Sequence, residues 1–366
     1  MLKVIELFAG VGSQTQALKN INIDYEIVGI SEWSINSIIS YGTLHTDNKE
    51  YDLSKTEILE ELKDNTFSLN TKIPYDISKL NDKRLKLLYQ NHKNSKNLGS
   101  VSDIKIEDIT DCDLITYSFP CQDISLAGKK KGLFEGKSSS LLWEVGRVLD
   151  GLSSEDRLPK FLLMENVKAL TNKTHEPGYT LWKDKLKDLG YYNYQVILNS
   201  LDFGIPQNRE RVFLISSMEK LNIDINGFDL EYTLKDFTVD TEEYNGGFDV
   251  LDKTIITTDS FKYVKNTANY RSDSMTYLPV SNAPTLRTNG IVYVYIDEEI
   301  KKLGWKSMWK LMGFDDDSIS KVALINQQTE LKKQAGNSIV VNVLESIFKS
   351  MFIDHVPTSG IASQNS

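Results

Sequence analysis

Short runs of aliphatic and β-branched residues alternate, up to about residue 216, with stretches whose apolar positions recur every three to four residues. The runs predict buried strands, and the 3.6-residue spacing predicts helices packed beside them. Strands are expected over 3–8, 26–30, a short stretch ending at Asp103-Ile104, then 113–118, 160–164, 194–201 and 212–216. Helices are expected over 15–20, 34–45, 138–149 with a serine cap, 300–313 and 339–352. Alternation of this kind builds an α/β, doubly wound sheet. Residues 46–100 interrupt it. They are rich in Lys, Asp and Asn, carry two amphipathic candidates at 56–63 and 79–92, and read as an inserted helical hairpin, because such a fold needs only a short connection here. From 217 to 283 the helical period disappears, and a smaller, mostly β and irregular domain is expected, closed by Pro284–Arg287 and a strand at 291–296. The Ser-rich tail, 356–366, reads as disordered.

Composition narrows the class. A chain of 366 residues, 40% hydrophobic and 25% charged, is that of a soluble globular protein with one large and one smaller domain. No apolar run spans a membrane and no signal pattern opens the chain, so the cytoplasm is the expected compartment. Cys112 and Cys121 give no disulfide framework and no metal site. His45, His92, His175 and His355 are scattered and read as surface or loop residues. A net charge of −9 argues against a basic nucleic-acid-binding body, though a basic cleft on an acidic protein stays open. Only seven of the 42 basic residues are arginines, and Arg209 and Arg211 share one short motif. Planar bidentate recognition is what Arg offers and Lys does not.

Several short stretches carry chemistry. Pro120 stops the strand that feeds Phe119-Pro120-Cys121-Gln122, which puts Cys121 at the carboxyl end of a strand, where open α/β sheets keep their sites; a buried, inert thiol is the alternative. Ala9, Gly10 and Gly12 form a strand–turn–helix cradle in which glycines admit close approach and a helix N-terminus favours an anion. Thr15 stands where a dinucleotide fingerprint wants Gly or Ala, so a cofactor without pyrophosphate, such as S-adenosylmethionine, fits better. Glu32, about twenty residues on, suits ribose hydroxyls, and Trp33 suits a purine face. Asp103 suits an adenine amino group. Glu165 ends another strand at the edge that holds Cys121, and Arg209 and Arg211 would point to one face of an extended stretch, suited to an oxo group and phosphates. The basic, glycine-flanked loop from Ser125 through Lys129 to Phe134 suits closure over phosphates; a solvated surface loop is the alternative.

Together these would serve methylation of cytosine at carbon 5, a poor nucleophile until a thiolate adds to carbon 6. The chain resembles the bacterial and phage DNA cytosine-5 methyltransferases through Phe8-Ala-Gly-Val-Gly12, Glu32-Trp33, Phe119-Pro-Cys-Gln122, Glu165-Asn-Val167, Gln207-Asn-Arg-Glu-Arg211 and Gly336-Asn-Ser338, in family order. The resemblance implies a Rossmann-like methyltransferase sheet formed by 1–216 and 327–355, with a target-recognition domain at 217–326. It implies Cys121 as nucleophile, Glu165 on ring nitrogen 3, Arg211 on the 2-oxo group and Arg209 supporting a closed loop. Phe8, Glu32, Trp33, Asp103, Ile104, Leu142, Asn337 and Ser338 would belong to the S-adenosylmethionine pocket. It further implies double-stranded DNA as substrate with a flipped-out base, no metal, no membrane, a monomer, and a restriction–modification, phage or orphan epigenetic setting, the first with a cognate endonuclease. Gln122, Ser125 and Lys129 would touch DNA, and Arg271 and Arg287 are candidates for guanine contacts. An RNA cytosine-5 methyltransferase, a non-catalytic regulatory homologue and a nicotinamide oxidoreductase are the alternatives. The room between Arg211 and Pro284, the presence of Cys121 and Glu165, and Thr15 argue against them in turn.

Overall fold

Parallel strands bury both faces, so their sequences are continuous apolar runs, and those runs assemble the first sheet. The computed structural model describes residues 1–47, 49–120, 140–228, 232–246, 249–267 and 275–354. In it Leu2–Leu7 (β1), Ser13–Asn20 (α1), Tyr25–Ser31 (β2) and Ile35–His45 (α2) are followed by Lys55–Glu61 (α3) and Asp82–Asn94 (α4). Next come Leu114–Tyr117 (β3), Ser140–Ser154 (α5), Phe161–Val167 (β4), Glu176–Asp188 (α6), Tyr192–Asn199 (β5), Gln207–Asn208 (β6) and Glu210–Ser217 (β7). The strand order is β2-β1-β3-β4-β7-β5. β1, β2, β3 and β4 run parallel, and β7 is antiparallel to both β4 and β5. Alternate residues of β1 feed two cores: Val4 joins Ala17 and Leu18 on one face, and Ile5 and Leu7 join Val145, Leu149 and Trp182 on the other.

A second sheet contains Thr241–Glu243 (β8), Val250–Thr257 (β9), Lys262–Asn266 (β10) and Met275–Tyr277 (β11), with a short helix, Leu234–Phe237 (α7), before it. Ala283–Pro284 (β12) leaves it to pair with β6, and Tyr293–Ile296 (β13) and Glu299–Leu303 (β14) complete the order β8-β14-β13-β11-β10-β9. The chain ends in Trp305–Lys310 (α8), Asp316–Ala323 (α9), Gln328–Asn337 (α10) and Val341–Phe352 (α11), the last packing on α1. Among the described residues no helix is long and apolar enough to cross a membrane.

The structure departs from the sequence reading in three places. No strand forms before Asp103: Val101–Asp103 is a 3-10 turn, and the only backbone bridge of residues 96–99 to β2 among the described residues is Ile30 to Asn97. The helix expected over 300–313 begins as β14, because Asp297 and Glu298 take positive φ (54° and 63°) and form a two-residue hairpin with β13. Residues 305–326 pack on the first body and are also tied to the start of the second sheet, where Ser307 Oγ accepts from Val239 N and Asp240 N at 3.0 and 2.9 Å. Trp309 shares a core with Leu331 and Val341, its Nε1 donates to Leu331 O at 2.9 Å, and α9 packs on α2. The histidines are not surface residues: His92 and His175 are buried and His45 is half-buried, while His355 and the tail from 355 to 366 lie outside the described residues.

One buried carboxylate sits within β1 itself. Glu6 is fully buried, accepts a hydrogen bond from the Thr15 hydroxyl, and leaves its other oxygen without a partner; Thr15 Oγ1 lies 2.8 Å from Tyr41 Oη. Burial pushes its pKa up to about 7 against the opposing pull of Thr15. The folded chain therefore keeps this proton to higher pH than the unfolded chain. The associated stability is complete below about pH 4.5 and is lost as pH rises through about 7. Glu6→Gln is expected to remove roughly 1–3 kcal/mol of that decline, read as the urea midpoint at about pH 5 and about pH 8; an unchanged decline in the variant would assign it to other groups.

Candidate active site

β1 turns into α1 through three residues in the left-handed region, Phe8 (φ 58°), Gly10 (57°) and Gly12 (79°). A Cβ on Gly12 would stand 2.4 Å from His45 Nε2, so only glycine lets α2 approach here, while Gly10 opens onto free space. His45 Nε2 is 2.9 Å from Val11 O and pins the turn from α2; burial pushes its pKa down to about 4, so the ring is neutral and donates this bond. The sequence reading missed this residue.

Glu32 follows β2 and closes the cradle. Gly10 N donates to Oε2 at 2.9 Å, and Trp33 N and Ser34 N donate to Oε1 at 2.9 and 2.7 Å. Burial raises its pKa, and those three amides oppose the rise. Oε1 is thus saturated while Oε2 retains one lone-pair direction. Phe8 is half-buried against the apolar cluster that contains Ile104 and Leu142. Leu142 is wholly enclosed in that cluster; Asp103 is exposed. Arg147 donates to the carbonyls of Ile104 and Val101 at 3.0 and 3.1 Å, which fixes their turn on α5.

The second half of the site lies along the same sheet edge, because Leu7, Tyr117 and Met164 are aligned across β1, β3 and β4. Phe119 and Glu165 follow just beyond, and Asn166 Nδ2 donates to Phe119 O at 3.0 Å, tying the end of β4 to the segment that enters Pro120. Glu165 Oε1 is 3.1 Å from Arg211 Nε, with the two side chains 11% and 15% exposed. Burial raises the Glu165 pKa; Arg211 and Arg209 hold the rise back. Cys121, Gln122, Ser125, Lys129 and Arg271 lie outside the described residues, as does the expected loop from 125 to 134.

Arg209 corrects the expectation of two guanidiniums presented together. Both arginines border one small cavity, but Arg209 falls between β6 and β7, outside the strand, and its head turns into the protein. It donates to Leu286 O at 2.8 Å, Ser338 O at 2.8 Å and Gly336 O at 3.3 Å. Asn337 is exposed and accepts from Thr288 Oγ1 at 2.8 Å, and Ser338 Oγ donates to Gln334 O at 2.7 Å. Arg287 is exposed beside Thr288. The segment 283–288 is therefore clamped between 206–209 and 336–338.

A family model for C-5 cytosine-specific DNA methylases matches residues 68–274 and 229–353. The type II methyltransferase M2.ScrFI of Lactococcus lactis subsp. cremoris is 37% identical over 375 residues, covering 96% of this chain and 99% of that protein. The orphan methyltransferase M.SssI of Spiroplasma monobiae is 35% identical, covering 94% and 96%. Among solved structures, the S. pombe Dnmt2 methyltransferase shares the fold, with a TM-score of 0.62 at 16% identity over 95% of this chain and 97% of that one.

Arg209→Met is expected to cost roughly 3 kcal/mol or more of folding stability, since it strips donors from three carbonyls. Arg209→Lys is not expected to restore it, because one ammonium cannot span them. Urea denaturation of both variants checks this; full rescue by lysine would refute the clamp.

Proposed function

The chain belongs to the C-5 cytosine-specific DNA methylase family, and from that premise we propose how its residues divide the work of methylating DNA cytosine. Its Rossmann-like sheet carries the cradle, the segment that enters Pro120 and the Glu165–Arg211 pair on one edge. The single observation that supports the division best is that pair: a buried carboxylate whose proton affinity is raised, held in line by a guanidinium.

In this reading the thiolate of Cys121 adds to carbon 6 of the flipped cytosine, forming an S–C6 bond and shifting the C5=C6 electrons toward carbon 5. Glu165 gives its proton to ring nitrogen 3, and Arg211 holds the 2-oxo group as its charge grows. Once carbon 5 carries the methyl group, loss of its proton to water re-forms the double bond and expels the thiolate, and ring nitrogen 3 returns its proton to Glu165. Asn166 keeps the two halves in register through Phe119 O.

The residues present fit S-adenosylmethionine as methyl donor. Glu32 is fixed by three amides with one lone pair of Oε2 left over, Trp33 is half-buried beside it, and Gly10 opens onto free space. Glu32 would hold the ribose diol; Phe8, Trp33 and Ile104 would flank the adenine, and Asp103 would meet its amino group. When bound, this donor supplies an electrophilic methyl on sulfur. The second sheet, with Arg287 exposed on the clamped segment between β11 and β13, would read duplex DNA, and a short sequence motif is its expected target.

Cys121→Ala is expected to abolish turnover while sparing DNA binding. Single-base mapping of plasmid cytosines in a host lacking cytosine methylation should find one modified motif with the native chain and none with the variant. Methylation retained by the variant would exclude Cys121 as nucleophile. Glu165→Gln should lower kcat roughly 100-fold or more. Because the reaction needs protonated Glu165, the native rate should fall as pH rises through its elevated pKa, and the variant should lose that limb. A native profile flat on the basic side would count against the proton transfer.

A further inference from the structure

Residues 46–100 have no part in the chemistry above, yet they pack tightly on its support. Ile58, Leu62, Phe67, Leu85 and Leu88 form a core with Ile35, Ile38 and Ile39 of α2. Beyond that core they reach the two residues expected to meet the nucleoside. Asn97 Oδ1 accepts from Glu32 N at 3.1 Å and Gly99 N at 3.1 Å, and its Nδ2 donates to Glu32 O at 2.9 Å and to His92 Nδ1 at 3.1 Å. All four hydrogen-bonding positions of the amide are filled, so its orientation is unambiguous: a flipped amide would set donors against donors. His92 must then carry its proton on Nε2; burial pushes its pKa down to about 4, and the Phe67 ring meets it edge-on at 5.6 Å. On the other side, Ser68 N donates to Trp33 O at 2.8 Å and Ser68 O accepts from Ile35 N at 2.9 Å.

The backbone of Glu32 and Trp33 is thereby accounted for. Both backbone groups of Glu32 are held by Asn97, the Trp33 carbonyl is held by Ser68, and the Trp33 amide is held by the Glu32 carboxylate. A carboxylate that must present one remaining lone pair to a diol gains from a backbone that cannot rotate.

We propose that the inserted segment is a brace for the cofactor pocket, with Asn97 as a positioning residue that fixes Glu32 and His92 as the group that orients Asn97. The proposal rests on the reading of Glu32 as the ribose ligand. Calorimetric titration of the native chain, Glu32→Ala, Asn97→Ala, His92→Phe and Ile58→Ala with S-adenosylhomocysteine, without DNA, tests both. KM and kcat for S-adenosylmethionine, and thermal unfolding, are measured alongside. Asn97→Ala is expected to weaken binding about tenfold, the equivalent of two ordinary hydrogen bonds, and to raise KM with kcat at saturation unchanged. His92→Phe keeps the ring packing and should weaken binding about threefold. Ile58→Ala should lower stability and leave affinity alone. If Glu32→Ala weakens binding while Asn97→Ala and His92→Phe do not, the brace is refuted and the ribose assignment survives. Equal weakening by Ile58→Ala would also refute it, as general loosening. If Glu32→Ala binds normally, the ribose assignment falls and the brace with it. Should Asn97→Ala not fold, His92→Phe decides: a threefold loss supports the brace and unchanged affinity refutes it.

Discussion

A carboxylate taken out of water must be neutralised, paired or surrounded by donors, and Glu165 meets that demand with Arg211. The demand explains why an antiparallel strand lies in an otherwise parallel neighbourhood. The strands β1, β3 and β4 deliver their last residues to one edge. Because β7 runs the opposite way, it delivers its first, and Arg211 lands opposite Val167, two residues past Glu165. A parallel β7 would have placed Arg211 at the far end of the sheet. The same reversal sends the chain out of the sheet at Ser217, away from the catalytic edge, so a further segment must lead it back. That return is the strip 283–288, received by β6 and by Arg209.

The strip shows how two bodies share one set of backbone groups. Gln207 accepts from Leu286 N at 2.9 Å and donates to Leu311 O at 2.8 Å, and Thr285 Oγ1 donates to Asn208 O at 2.6 Å. Gly336 has no room for a side chain: a Cβ there would stand 2.5 Å from the backbone of Arg287 and Thr288. Within the motif 207–211, Arg211 thus pairs with Glu165, whereas Gln207 and Arg209 hold the returning chain.

Much of this was legible in the sequence. Apolar runs and their breakers located β1, β2, β3, β4 and β7, and the helical spacing located α2, whose Ser34 Oγ cap accepting from Ser37 N the reading did not name. The glycine turn and Glu32 were legible because their spacing is local. What failed depended on partners distant in sequence. Two arginines two apart share a face only within a strand, and Arg209 lies outside one. The Asp297-Glu298 hairpin carries no glycine to announce its positive φ. His45, His92 and Asn97 look like ordinary polar residues until a neighbouring element buries them.

The packing of α11 on α1 bears on the order in which the protein can be built. Asn20 Nδ2 reaches Glu345 Oε1 at 2.6 Å, and Ala17 and Leu18 share a core with Leu344, Ile347 and Phe348. Roughly 320 residues separate the two helices, so a ribosome adding about 5–20 residues per second leaves the apolar side of α1 uncovered for roughly 15–65 s. The layer holding Val4, Ala17 and Leu18 therefore closes later than the layer holding Ile5 and Leu7, whose partners lie within the first 215 residues. The α1 face is thus a late-closing part of the core, completed by an element far from it in sequence.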